Sequence, residues 1–371
     1  MNKILLISIR SSILILSILV ISPLFSQSKI NNKLTDFGIL NYPDRKMKFN
    51  LSEPKKEKMD GQKLGKIFAT QVIQKTTQQI DLSKRNVIIG AKGTRITISP
   101  GTFQYSDYLT AKGAATVHLY EVIDDLDYMV SGVYHIYNES NKASTYLELG
   151  GMMKFEVFQG NARLRMSGEY PILVDFPILF PDKKFNLYYI NIEGIWIKKN
   201  EFGSYDLFPV PEAIVDGKKN TGVRQFKMNS QGWWGFGLPS RDMVVLKGKF
   251  KGEGINPSSS FHIQSIGVDE TSRTYIGKWI SGKEFSILAF PGRKTRVYIS
   301  DEIGNLGYSN PVEASNKIGI DSLPESIDNQ FQDIGEIEIT QPPQDITSDP
   351  VKLQEYLKLK PESYQVIYPT R

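Results

Sequence analysis

Three carboxylates stand almost together at Asp124-Asp125-Leu126-Asp127, and they are the residues in this chain best suited to hold a hard cation. Carboxylate oxygens on a loop after a strand are calcium ligands, and a bound calcium would brace a fold that has no disulfide to do so. The same run also reads as a polar turn whose Asp side chains accept from nearby backbone N–H groups. The turn is the favoured reading, because the spaced ligands and distant bidentate Glu of a full calcium loop are missing.

His118, Glu121 and His135 raise the question of zinc. His118 and Glu121 are three apart, and in a strand that spacing sends them to opposite faces, which argues against shared ligation. His118 is expected on a solvent face between Val117 and Leu119. No G-x-S-x-G occurs, so a serine nucleophile has no elbow to sit on, and the Ser99-Pro100-Gly101 run reads as a strand end. A hydrolase using paired carboxylates stays formally open, but nothing in the spacing selects a pair from the 40 acidic residues.

The aromatic candidates are Trp233-Trp234, with Phe236 beside them and Trp279 further on. Neighbours in a strand face opposite sides, so one indole can fill the core while the other stacks on a sugar or a partner protein. Core filling is the commoner use of such rings.

The elements that must position these residues are set by compartment and composition. Lys3 and Arg10 precede the apolar run from Ile13 to Ile21, followed by Pro23 and the small polar exit Ser26-Gln27. This predicts a signal peptide over 1–27, too short to span a bilayer as a helix, with an uncleaved anchor as the other reading. No cysteine follows it, which closes the lipoprotein route, and the whole chain of 371 residues contains none. Thiol nucleophiles and cysteine metal sites are therefore excluded, and stability must come from packing. The leader holds two of the positive charges, so the net +5 falls to +3 on its removal, too little to argue for a nucleic-acid partner. Roughly 340 residues then remain, enough for two domains.

Residues 28–84 read as a polar, basic arm or linker; from Arg45 to Lys66 eight basic residues face three acidic ones. Strand periodicity begins around Ile67. Val87-Ile89, Arg95-Ile98, Thr116-Tyr120 and Lys154-Phe158 alternate between turn residues, and Met243-Leu246, Ser260-Ile263, Glu284-Leu288, Thr295-Ile299 and Ile334-Ile339 repeat the style. The expectation is an all-β chain of two antiparallel β-sandwich domains, 85–216 and 222–340, divided at the polar stretch Asp216–Gly222. The 341–371 tail should carry one short helix from Val351 to Leu359, capped at Ser348-Asp349-Pro350. Gly93 and Gly150-Gly151 are read as turn formers at strand starts. Tyr170 to Pro177 is read as an edge or connecting segment, because proline cannot donate into a central ladder.

The segments "GAKGTRITISPGTF", "GAATVHLYEVID" and "LELGGMMKFEVFQGNARLRM" together resemble a β-sandwich module of exported Gram-negative proteins, itself similar to the sandwich shared by netrin receptors and ankyrins. Residues 232–340, from Trp233-Trp234 to the closing "DIGEIEI", resemble the carboxypeptidase regulatory-like, transthyretin-like sandwich. Both resemblances imply scaffolds and binding faces, and neither implies a catalytic residue.

The expected function is an exported cell-envelope structural or interaction protein without catalytic activity, its partners envelope proteins or surface glycans. The alternatives are a carbohydrate-binding or accessory module of a secreted hydrolase system, and a spacer touching membrane through its basic arm.

Overall fold

The computed structural model describes residues 65–133, 135–137, 145–191, 195–199, 205–240, 242–252, 261–268, 278–281, 284–315, 318–319, 331–359 and 363–370. For 39–42, 45–48, 136, 145, 242, 278–281 and 318–319 it describes the backbone alone. The leader lies outside the described residues. Within the expected arm, Ile39–Tyr42 and Arg45–Lys48 pair as a short hairpin.

The chain is all-β in layers of mainly antiparallel sheets, with a few short helices. In the first unit an eight-stranded sheet covers a five-stranded one. The smaller sheet runs Asp206–Phe208, Val223–Met228, Ile172–Pro177, Arg95–Ile98, Asn86–Ile89, and all its pairs are antiparallel. In the larger sheet Lys75–Asp81 and Ala114–Val122 lead to Thr145–Gln159. From there Ile136–Tyr137, Trp196–Lys198, Asn186–Ile190 and Gly232–Ser240 follow, and the last of these pairs back onto Thr145–Gln159. That end of the sheet therefore closes into a ring of strands.

Closure on so small a radius needs bends, and the sequence supplies glycine at the crossing. The register shifts between Gly235 and Gly237, and Gly151 has φ +131°. A side chain on Gly150 would collide with Phe185, and one on Gly151 with Phe176. This corrects the expectation that Gly150-Gly151 starts a strand: the pair lies inside Thr145–Gln159, where it lets a long strand curve under packed rings.

The second unit packs Lys278–Ser281, Glu284–Ala289, Asp242–Lys251 and Phe331–Glu338 over Phe261–Gly267, Lys294–Asp301, Leu306–Tyr308 and Val312–Glu313. One pairing departs from the antiparallel expectation, since Asp242–Lys251 and Phe331–Glu338 run parallel. Asp333 Oδ1 accepts from the Gly335 N–H at 2.8 Å, and Gly335 takes φ +76° where its own strand holds one residue more than the facing stretch Lys247–Lys249. The Asp333-Ile334-Gly335 run is thus a local bulge device.

Backbone pairing moves the unit boundary. Val223–Met228 and Gly232–Ser240, expected beyond it, belong to the two sheets of the first unit, so the division falls between Ser240 and Asp242. The polar stretch at Asp216–Gly222 is a tight turn, in which Ile214–Val215 pairs with Lys218–Thr221. The linker also ends early, since helix Lys66–Thr70 and strand Lys75–Asp81 are ordered parts of the fold. Tyr170 to Pro177 is corrected as well. Pro171 precedes the strand Ile172–Pro177 and Pro177 is its last residue, so both prolines flank a central strand without interrupting its ladder.

Two buried clusters fill the sandwiches, one around Ile96, Phe155, Phe176 and Trp234, the other around Leu246, Phe285, Ile287 and Ile299. A third joins the units through Phe68, Met129, Ile266, Tyr298, Leu353 and Leu357. The tail carries two short helices rather than the one expected, Gln344–Thr347 and Pro350–Tyr356; the second carries Leu353 into that joint, and its cap is as expected: Asp349 Oδ1 accepts from Val351 N at 2.9 Å and Lys352 N at 3.3 Å. At its far end Arg296 Nη1 donates to the Leu357 and Lys358 carbonyls at 3.4 and 3.1 Å, placing a cation where helix carbonyls lack partners. The tail then returns to the first unit, where Tyr364–Val366 pairs in parallel with Lys218–Thr221.

Candidate functional site

The largest gathering of buried charge in the first unit surrounds the turn Gly90-Ala91-Lys92-Gly93, which links Asn86–Ile89 to Arg95–Ile98. Gly93 closes it with φ +86°. The turn wraps the Glu121 carboxylate, which accepts from the backbone N–H groups of Lys92 and Thr94, each at 2.8 Å. A side chain on Gly90 would occupy the space of that carboxylate, so glycine there is set by Glu121's approach. Burial pushes the Glu121 carboxyl above the usual range, against the pull of these hydrogen bonds.

Lys92 reaches on to the acidic run. Its ammonium donates to Asp124 Oδ2 at 2.6 Å and to Asp127 Oδ2. Asp127 Oδ2 also accepts from Ile123 N and Asp124 N, at 3.2 and 3.1 Å. The expected polar turn is here a helix, Asp125–Ser131, which begins at Asp124 as its cap and ends at Gly132 with φ +64°. Burial alone would pull the Lys92 ammonium down, but Asp127 and Asp124 outweigh it and hold it above the ordinary lysine range. The space between Asp124 and Asp127, where calcium was considered, is taken by the chain's own cation. Asp125 is buried and turned elsewhere: its charge adds to the burial that raises the Tyr298 phenol. Among the described residues no group of three His, Asp or Glu converges as a metal requires.

On the other side of the turn Arg95 Nε donates to Asp175 Oδ2 at 2.6 Å, and Gln225 Nε2 donates to Asp175 Oδ1 at 2.7 Å. These three residues lie in direct register on neighbouring strands. The tail seals the arrangement. Tyr364 Oη donates to the Lys92 carbonyl and Tyr368 Oη to the Gly93 carbonyl, both at 2.8 Å, while the Arg95 guanidinium lies 4.3 Å from the Tyr368 ring centre.

The remaining sequence candidates are dispersed. His118 and Glu121 part to opposite faces, as their spacing requires; His118 packs on Phe158 with ring centres 5.3 Å apart. His135 is buried edge-on to Tyr128, and burial drives its imidazole down to about 3. Trp233 and Trp234 do face opposite sides and both are buried, which is the core-filling use rather than the stacking one. Trp234 lies in the sandwich core and donates to the Ser230 carbonyl at 3.0 Å. Trp233 fills the ring of strands beside Tyr188 and Trp196, with Lys154 Nζ 5.8 Å from its ring centre. Both faces of its strand are covered. Trp279 stands on the edge strand Lys278–Ser281, and its side chain lies outside the described residues.

Sequence reasoning missed Lys92, the Arg95–Asp175 pair and the tail tyrosines. A lysine enclosed by glycines in a turn was the one local signal, and it was read as turn chemistry alone. Also missed were the exposed rings of Tyr105, Tyr108 and Tyr170. No helix among the described residues is long and apolar enough to cross a membrane. No protein-family model matches the chain, and no curated protein matches it in sequence.

Proposed function

We propose that this chain is an exported protein of the bacterial cell envelope that works as a rigid interaction scaffold and turns over no substrate. One observation carries the reading: the side chains most suited to chemistry are spent on holding the fold. Lys92 neutralises Asp124 and Asp127, Glu121 holds the Gly90–Gly93 turn, and both central tryptophans are core. The apolar joint through Phe68, Met129 and Leu353 adds support, since a scaffold gains from units that cannot drift apart. The resemblances of 85–215 to the netrin-receptor and ankyrin sandwich and of 232–340 to the regulatory-like sandwich agree with binding faces, and the apolar run at Ile13–Ile21 agrees with export.

The test has two arms. Residues 1–40 fused to an alkaline phosphatase that is active only outside the cytoplasm should give active enzyme. The mature chain should show no turnover on chromogenic ester, peptide and glycoside panels. An inactive reporter, or reproducible turnover on any of the panels, overturns the proposal.

The carbohydrate-binding alternative is favoured by a different observation, the exposed tyrosines at one end of the first unit.

A further inference from the structure

Phe103–Gln104 and Arg165–Met166 form a two-stranded ribbon at the end of the first sandwich, and exposed rings flank it. Tyr105 follows the ribbon directly, Tyr108 sits at the tip of the next loop, and Tyr170 lies over Gly101, its ring carbons 3.3 Å from where a Cβ would stand. Tyr108 is 65 % exposed and Tyr170 49 %, whereas most of the other large rings among the described residues are buried.

The loop is built to present Tyr108. Its backbone takes φ +68°, a left-handed conformation that costs a residue with a side chain of order 1 kcal/mol. The conformation is held: Tyr105 N donates to the Leu109 carbonyl at 2.9 Å, Tyr108 N to the Tyr105 carbonyl at 3.1 Å, and Leu109 N to Asp107 Oδ1 at 3.2 Å. Strain maintained at a surface, where nothing in the core requires it, points to use. A ring fixed before binding also loses little entropy on contact.

The Arg165 guanidinium lies 4.6 Å from the Tyr108 ring centre. Among the described residues it has no carboxylate partner, whereas Arg163, two residues earlier in the chain, is paired with Glu156 at 3.6 Å. The platform therefore offers ring faces beside a planar cation with unused donors. Ring faces suit the C–H face of a sugar, and the guanidinium fork suits a carboxylate. Tyr170, over Gly101, and Tyr108, beside Arg165, are separate rings on this end of the unit, an arrangement that suits successive sugars of a chain.

We propose that this end of the first sandwich binds an acidic polysaccharide, with Tyr108 and Tyr170 stacking on sugar rings and Arg165 pairing with a uronic carboxylate. The inference rests on the scaffold reading and names its partner class. The test is calorimetric titration of the mature chain, at physiological salt, with polygalacturonate, neutral dextran, single-stranded DNA and anionic phospholipid vesicles.

Polygalacturonate should bind, and Tyr108→Ala and Arg165→Ala should each weaken it about tenfold, with Arg165→Lys falling between Arg165→Ala and the native chain because an ammonium cannot form the fork. Both substituted side chains, Tyr108 and Arg165, are exposed, so melting temperatures should stay within about 3 °C of native and keep folding out of the comparison. No binding, equal binding of dextran, DNA or vesicles, or undiminished binding by both alanine variants overturns the proposal. Release of reducing ends from the polymer would instead sink the scaffold reading, whereas failed binding by a chain that passes the export and turnover tests sinks this inference alone.

Discussion

Arg95 and Asp175 face each other across two antiparallel strands, joined by a 2.6 Å hydrogen bond, with the Tyr368 ring laid over the guanidinium. Asp175 is fully buried on what would otherwise be the outer face of the sheet, because the chain's own tail covers it. The covering tail turns a surface ion pair, worth little, into a desolvated one whose halves depend on each other.

Asp175→Ala should therefore cost about 3 kcal/mol, since it strands a largely buried guanidinium. The double variant Arg95→Met/Asp175→Leu should recover most of that loss. Urea denaturation of the four proteins in the cycle measures both, and a single-variant loss under about 1 kcal/mol would show that water still reaches the pair.

Lys92→Met should destabilise by about 2–3 kcal/mol, because Asp124 and Asp127 then face each other without a cation. Millimolar calcium should raise the melting temperature of this variant and leave the native protein unmoved, as a ligand stabilises only a site it can enter. A calcium-induced rise in the native protein would mean that the ammonium yields its place.

His135 makes stability pH-dependent, with a sign fixed by burial. Its folded value is depressed to about 3 from 6.5, so the unfolded chain takes up the proton first. The stabilising difference is complete above about pH 6.5 and is lost as pH falls towards 3, by up to about 1.4 kcal/mol per pH unit. His135→Gln, which gains no proton, should flatten this limb when denaturant midpoints are compared at pH 7.5, 6 and 5.

Leu353→Ala should cost about 2–5 kcal/mol, as for other fully buried leucines. The loss falls on the joint between the sandwiches, so the native protein should unfold in one calorimetric transition and the variant should begin to separate into two. Two transitions already in the native protein would mean the joint is weaker than its burial implies.

What could be read along the chain was whatever a few neighbouring residues decide. Arg95–Ile98 and Lys294–Asp301 are legible as strands because a two-residue period sends Ile96 and Ile98, and Val297 and Ile299, into the sandwich cores; that their other faces are also largely covered is not legible locally. Asp349 before Pro350 marks a helix start for reasons complete within one turn, and Gly93 must turn wherever the fold sends it. The Asp124 run was harder, since its short helix rests on packing against Phe68 and Leu353 that no local pattern announces.

Burial of both Trp233 and Trp234 follows from ring closure, in which Gly232–Ser240 pairs with strands before it on both sides. Membership of that strand in the first unit has the same cause. Asp175 meets Arg95 from 80 positions away and Lys92 meets Asp127 from 35, and which charges meet depends on strand order rather than on spacing.

By itself, then, the sequence determined a cysteine-free chain of short alternating strands, with its turns and its terminal helix cap, because alternation, φ freedom and capping act over a few residues. Only the tertiary structure decided which aromatic rings are covered and which charges cancel, because both depend on strands distant in the chain excluding water from the same space.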